Sequence, residues 1–261
     1  MKIKISLAQT QIHFANTGKN IEEAIRLTSQ AAAQGSSLIL FPELWSSGYD
    51  LPNCQAYARQ NRVITDNLST LAVDLKINIG GSLLTEENGK IYNTFITISS
   101  EGKVTALYHK IHLFKTLDED KWCHPGNHLQ TVDFPWGKAG LAVCYDTRFP
   151  ELFRSYALKD VTLMLISAEW PLTRIAHWRN LIKSRAIENL SFVAAVNCVG
   201  QIGPDTFGGC SAIISPWGET LVEGNDQDPA FLTAEIDTDQ IARARRGSTA
   251  LLDRRPDVYE L

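Results

Sequence analysis

From its second residue the chain alternates. In KIKISLAQ (2 to 9) polar positions take turns with apolar ones, the period of a half-buried strand. After Asn20 the period changes: Ile21, Ala24, Ile25, Thr28, Ala31 and Ala32 recur at helical spacing as far as Gly35. SLILF (37 to 41) is a short apolar run ended by Pro42, which predicts a buried strand with Glu43 in the loop just beyond it. Active-site groups often sit in such a place. A helix is expected around Asn61 to Leu75, ahead of INIGGSLL (77 to 84). KIYNTFITIS (90 to 99) and KVTALYHK (103 to 110), joined through Ser100, Glu101 and Gly102, predict a hairpin.

After a polar loop over 115 to 128, AGLAVC (139 to 144) predicts a buried strand of small residues, and Phe149, Pro150 and Glu151 open a helix with proline in its first turn. Cys144 therefore falls at a strand-to-helix junction. VTLMLIS (161 to 167) and SFVAAVNCV (191 to 199) read as buried strands on either side of a helix over Thr173 to Asn189, with Ile175, Trp178, Ile182 and Ala186 on one face. CSAIISP (210 to 216), a turn at Trp217 and Gly218, AFLTAEID (230 to 237) and a short helix from Thr238 complete the chain. Neither a linker nor an internal repeat divides it, so the pattern predicts one α/β domain over residues 1–261, with mixed sheets covered by helices.

Composition narrows the partners. With 44% hydrophobic and 21% charged residues, the 261-residue chain is neither fibrous nor low in complexity, and it is long enough to bury a large core without disulfides or metal. Its 25 basic and 29 acidic residues give a net charge of -4, so there is no cationic field for nucleic acid and a small-molecule partner is expected. The apolar runs fall far short of the roughly 20 residues that cross a bilayer, and the alternating N-terminus lacks a signal peptide's apolar stretch. Five scattered cysteines, without a CxxC pair, suggest neither a disulfide framework nor a zinc ribbon, and a reducing cytoplasm is the expected compartment.

Taken singly, the residues able to carry chemistry have ordinary explanations. A cysteine within AGLAVCYD is by base rate an inert core residue, but here Tyr145, Asp146, Thr147 and Arg148 follow at once, placing the thiol where backbone N–H groups can face an incoming acyl group. Glu43 is flanked by apolar and aromatic neighbours, where partial burial would fit it for proton transfer, although most glutamates are solvated. Lys110 reads on its own as a strand-end surface lysine, and Glu119, amid Asp118, Asp120 and Lys121, as part of a solvated charge run. His109, His112, Cys123, His124 and His128 form too loose a cluster for a metal site, since HKIH is expected extended and neither HExxH nor paired CxxC occurs. Arg185 and Glu188, three apart on one helix, read as a structural ion pair, and the absence of GxGxxG and GxxxxGK[ST] leaves nucleotide binding without support.

The combination is more specific than its parts. PELWSSGYD around Glu43, YHKIHLF around Lys110 and CYDTRFPE around Cys144 resemble, in chain order, the three signatures of the nitrilase, or carbon-nitrogen hydrolase, superfamily. The resemblance runs through DEDKW, a following PG, SAEWP, RAIEN and SPWGE, and so covers essentially the whole chain. It implies Glu43 as general base, Lys110 as electrostatic stabiliser, Cys144 as nucleophile and Glu119 as a second acidic residue that orients substrate. It also implies a four-layer αββα sandwich, paired with a second copy across a helix face, and a reaction that needs no cofactor. Within the superfamily the chain is most similar to the omega-amidase branch, including its methionine-salvage-associated bacterial form, through PELW with GYD, HLF followed by DE, and SAEWPL followed by Arg174, His177 and Trp178.

This branch implies hydrolysis of the terminal amide of 2-oxoglutaramate or 2-oxosuccinamate. The Tyr145 N–H is a candidate oxyanion donor, Arg148 and Arg174 are candidate holders of the substrate carboxylate, and Trp170 is a candidate wall. The same triad also serves N-carbamoyl amine hydrolases, amidases of deaminated glutathione and true nitrilases. A non-catalytic binding module is a further alternative, which loss of a triad member would favour; all three members are present. The aromatic residues between 149 and 178 add to the expectation of a homodimer.

Overall fold

The computed structural model describes residues 1–259. Its first half comprises β1 (Lys2–Gln9), α1 (Thr17–Ala33), β2 (Leu38–Leu40), α2 (Cys54–Leu75), β3 (Asn78–Glu87), β4 (Lys90–Ile98), β5 (Val104–His109) and the short α3 (Glu119–Trp122). There follow β6 (Thr131–Phe134), β7 (Gly137–Val143), α4 (Pro150–Ala157), β8 (Leu163–Ala168), α5 (Ile175–Asn189) and β9 (Phe192–Asn197). The chain continues through β10 (Val199–Ile202), β11 (Asp205–Gly208), β12 (Ala212–Ile214), β13 (Thr220–Glu223), β14 (Ala230–Asp237) and α6 (Asp239–Gly247).

Two six-stranded sheets share one design. The first runs β14-β1-β2-β3-β4-β5 and the second β13-β12-β9-β8-β7-β6. In each, three parallel strands (β1, β2 and β3; β7, β8 and β9) are flanked by antiparallel partners, so the sheets are mixed, as the hairpins predicted. Their inner faces meet in one core: Ile5, Leu7, Leu38, Leu40 and Phe95 from the first sheet pack with Leu141, Val143, Leu165 and Val196 from the second. Because side chains alternate along a strand, Ile39 points the other way, into a second core with Ala24 and Leu27 of α1 and Ile64 and Leu68 of α2. On the far side of the second sheet, Trp178, Ile182 and Ala186 of α5 close its core. The layers are thus helix, sheet, sheet, helix.

The elements depart from expectation in instructive ways. α1 begins at Thr17 rather than after Asn20, because the Asn16 side chain caps it by accepting from the Lys19 N–H, and the buried face includes Leu27 while Ile25 lies 42% exposed. α2 begins at Cys54, ahead of Asn61: Tyr57 and Ala58 extend the same buried face as Asn61, Ile64, Leu68 and Ala72. Strand β6 and the β10–β11 hairpin were not expected, being four residues each and too short for a period to register. Phe153, Tyr156 and Trp178, among the aromatics cited for a dimer face, are wholly buried within this chain and fill its own core. Among the described residues no helix is long and apolar enough to cross a membrane.

Candidate active site

The site lies where the two sheets end side by side. Pro42 stops β2, and the Glu43 N–H donates to the carbonyl of Ala168 at the end of β8, 3.3 Å away, while the Ser167 hydroxyl donates to the Phe41 carbonyl at 2.8 Å. These bonds stitch the first sheet to the second at the level of the chemistry. The next residue, Leu44, has a φ of 42°, a left-handed conformation that turns the chain sharply away and leaves the Glu43 side chain pointing inward.

Glu43, Lys110 and Glu119 have side chains fully shielded from solvent. The Lys110 ammonium donates to Glu43 Oε1 at 2.7 Å and to Glu119 Oε2 at 2.8 Å. Asn93, from the middle of β4, donates through one amide nitrogen to Glu43 Oε1 at 2.7 Å and Glu119 Oε1 at 2.8 Å. The Tyr49 hydroxyl donates to Glu43 Oε1 at 2.7 Å, and the remaining Glu43 oxygen accepts the Glu169 N–H at 3.0 Å. Lys110 itself is fixed at both backbone ends: its N–H donates to Asn93, and its carbonyl accepts from Gly126. A side chain at Gly126 would collide with the His109 carbonyl, which accounts for the glycine of the PG pair. Glu119 opens α3 and also accepts the Phe114 N–H at 2.7 Å.

Burial works against the charge on Lys110, but Glu119 and Glu43 outweigh it and hold the ammonium well above its ordinary range. Burial raises Glu119, against the pull of Lys110. A buried charge of this kind persists only when paired and hydrogen-bonded, and here its two carboxylate partners come from different segments, Glu43 from the loop after β2 and Glu119 from α3.

Cys144 follows β7 and adopts a φ of 44°, an uncommon conformation for a residue with a side chain. The elbow is held by Asp146, which accepts from the Val143 N–H, the Tyr108 hydroxyl, and the backbone and ring of His112, at 2.8 to 3.0 Å. The Cys144 sulfur lies 3.6 Å from the carbonyl of Glu169. Burial, and then the charge of Glu43, push the thiol well above its ordinary value.

Outward from the sulfur, Phe114, Tyr145, Arg148, Trp170, Pro171 and Arg174 line a cleft with about 10 Å³ of free space. Arg148 stacks over Trp170 at 4.8 Å and Arg174 over Phe114 at 5.6 Å. The indole of Trp170 is pinned by its N–H to the Arg174 carbonyl at 2.9 Å. The structure thus brings together all eight residues singled out from the sequence. It does not gather the histidines: His109 bonds Thr94 and Glu87, His112 bonds Asp146, and His128 bonds its neighbour Asn127. Among the described residues no group of three or more His, Cys, Asp or Glu is placed to hold a metal. Arg185 and Glu188 pair at 2.7 Å, away from the cluster.

Four residues of the centre carried no sequence expectation: Tyr49, Asn93, Asp146 and Glu169. Tyr49 and Asp146 lie inside GYD and CYD, and Glu169 inside SAEWP, so the segments were visible but not the contacts. Asn93 had one available signal, the single amide side chain in the strand run Ile91 to Ile98, at a buried position.

A sequence model described as carbon-nitrogen hydrolase matches residues 4–246. The chain is 36% identical over 261 residues to a 2-oxoglutaramate amidase of Bacillus subtilis, covering 99% of this chain and 100% of that one. It is 32% identical over 267 residues to the human omega-amidase, covering 98% and 96%. A CN-hydrolase superfamily protein from Xanthomonas campestris, with an arsenic adduct in its active site, superposes with a TM-score of 0.90 at 29% identity, over 97% of each chain. A glutamate-to-glutamine variant of an amidase from Nesterenkonia, which carries acrylamide added to its active-site cysteine, superposes at 0.88 with 26% identity, over 98% of each chain.

Proposed function

The chain belongs to the carbon-nitrogen hydrolase family, acting on an amide, and we propose that it removes ammonia from the terminal amide of a short 2-oxo dicarboxylic acid monoamide such as 2-oxoglutaramate. The observation that carries this reading is the position of Cys144, between a buried Glu43–Lys110–Glu119 cluster and a cleft framed by two arginines.

In this reading Glu43 takes the thiol proton as the sulfur attacks the amide carbonyl, and Lys110 and the Tyr145 N–H stabilise the oxyanion that forms. Glu43 then gives its proton to the departing nitrogen. Collapse of the tetrahedral species leaves a thioester on Cys144 and releases ammonia. Glu43 next draws a proton from water, the water oxygen attacks the thioester, and the acid departs as the thiol regains its proton. Each proton has a donor and an acceptor among these groups and water, so the steps call for no cofactor. Glu119 keeps Lys110 charged and aimed.

The cleft holds about 10 Å³, room for about one water molecule, so substrate binding requires Arg148 and Arg174 to swing off Trp170 and Phe114. A guanidinium freed in this way meets a carboxylate in a fork that fixes the distance to the distal amide. Glutamine carries an ammonium where the 2-oxo acid carries a neutral carbonyl, and it is disfavoured beside these arginines.

We read the chain as one catalytic domain over residues 1–261, acting as a homodimer in the cytoplasm. Supporting this are the family match over 4–246 and five cysteines that are all buried and unpaired. The test is kcat/KM for 2-oxoglutaramate, glutamine, an aliphatic nitrile and an N-carbamoyl amine, in wild type and with Arg148 or Arg174 changed to Ala, with intact-mass detection of the acyl adduct on Cys144. The 2-oxo amide is expected to lead, with KM raised in at least one variant. A preference for the nitrile or carbamoyl amine moves the chain to another branch.

A further inference from the structure

We propose that an acid-lined cavity on the Glu43 side of the centre is a binding subsite for ammonium, through which the amide nitrogen leaves. The inference rests on the amidase reading above. The cavity holds about 400 Å³ and lies apart from the arginine cleft. Tyr49, Glu169, Asp205, Asp118 and Asp50 supply its polar wall, and among the described residues no lysine, arginine or histidine lines it.

Glu169 is the second observation, independent of the acidic lining. It is 2% exposed, and neither carboxyl oxygen has a hydrogen-bond partner among the described residues. A buried acid with nothing to bond is costly and points to a missing donor. Its backbone is already committed to the reaction centre: the N–H donates to Glu43 Oε2 at 3.0 Å, and the carbonyl lies 3.6 Å from the Cys144 sulfur. The Glu169 carboxyl lines the same cavity as Tyr49, which bonds Glu43, so nitrogen expelled at Glu43 meets this carboxyl on its way out.

Burial and then the nearby Glu43 hold Glu169 well above the usual carboxylate range, with Asp205 adding to the effect. An arriving ammonia takes that carboxyl proton: an N–H bond forms, the O–H bond breaks, and an ammonium–carboxylate pair results. The ammonium moves out along Asp205, Asp118 and Asp50, and a solvent proton returns to Glu169. Asp50 and Asp118 already bond Tyr57 and Lys121 respectively, which leaves Glu169 and Asp205 as the principal contacts. The two cavities thus have opposite character, cationic for the dicarboxylic acid and acidic for the cation, and the products part by charge.

Initial rates on 2-oxoglutaramate, followed through the 2-oxo acid formed, are to be measured at constant ionic strength with ammonium or tetramethylammonium chloride. Ammonium is expected to inhibit and tetramethylammonium, which has no N–H donor, is not. Glu169→Gln and Asp205→Asn are each expected to weaken the ammonium inhibition constant about tenfold, through loss of a charge-assisted hydrogen bond. Asp205 lies on the β11 strand at the cavity's outer side, so its variant keeps the test valid if Glu169→Gln fails to fold. Equal inhibition by both salts, or an unchanged constant in the variants that fold, overturns the subsite and leaves the amidase reading standing. A wild type that forms no 2-oxo acid overturns the amidase reading, and the subsite with it.

Discussion

Lys110→Met is the perturbation that separates what the buried cluster does for stability from what it does for chemistry. Methionine matches the length of the lysine stem but carries no charge. At 2.7 and 2.8 Å, each carboxylate attracts the ammonium by about 6 kcal/mol at an effective dielectric of 20, and the burial of three charges offsets much of that gain. Removing one partner of such a cluster typically costs about 3 to 5 kcal/mol, because it strands charge in the interior. Here it leaves Glu43 and Glu119 facing each other through the single amide nitrogen of Asn93. That loss is about a fifth or more of an ordinary domain's stability of about 5 to 15 kcal/mol, and at this chain length it lowers Tm by roughly 6 to 20 °C. Adding Glu119→Gln to Lys110→Met removes one stranded carboxylate, and the double variant should recover about 2 kcal/mol relative to additivity. Activity should not recover, since on the proposed mechanism the oxyanion donor is still missing at about 3 to 4 kcal/mol, a factor of roughly 10² to 10³ in kcat. Urea unfolding of the four proteins measures the first quantity, and single-turnover acylation the second. Additivity within about 0.5 kcal/mol would refute the reasoning, because it would mean that Lys110 and Glu119 do not share a charge balance.

The Cys144 thiol is raised first by burial and then by Glu43, so between pH 7 and 9 its proton leaves only to Glu43; kcat/KM should therefore lack the tenfold climb per pH unit of a free thiol ionising, and observing that climb would remove Glu43 as the base. Gly140→Ala places a methyl group 2.7 Å from the Tyr156 ring, in the strand that carries Cys144, and should cost about 1 to 3 kcal/mol in urea unfolding; an unchanged midpoint would show that the ring can yield. Light scattering at micromolar concentration should give the mass of two chains, and a monomer would contradict the dimer.

The fold was legible where a period ran long enough, or where an apolar run such as SLILF ended on a proline. β1, the three-residue β2 bounded by Pro42, the β4–β5 hairpin and the α5 face of Trp178, Ile182 and Ala186 stand as their patterns predicted, because each pattern reports which side meets a core. Helix starts were less legible. α1 starts from the Asn16 cap, which adds nothing to the apolar period, and α2 starts at Cys54, where the buried face of Cys54, Tyr57 and Ala58 is interrupted by polar residues that obscure it. The site divides in the same way. Cys144 and Glu43 follow strand ends that local sequence reveals, whereas Lys110 and Glu119 looked like surface charges when taken singly. Their burial depends on long-range closure: β5 and α3 bring them onto the same Asn93.

That dependence also bears on why the chemistry is assembled from distant segments. A lysine deep in a protein tends to lose its proton, and a neutral amine could not offset an oxyanion. Two carboxylates from separate elements hold the charge on Lys110, yet a carboxylate that serves only as a counterion cannot also serve as a base. On the proposed mechanism the two acids divide the work. Glu119 is tied down by the Phe114 N–H, Asn93 and Lys110, so its oxygens are occupied. On Glu43, three donors converge on Oε1, while Oε2 meets only the Glu169 N–H, beside the residue whose carbonyl lies near the sulfur. The less encumbered oxygen is the one bonded by Glu169, the residue whose carbonyl lies near the sulfur, and in the proposed mechanism a single proton can pass from sulfur through Glu43 to the leaving nitrogen while the lysine stays charged throughout.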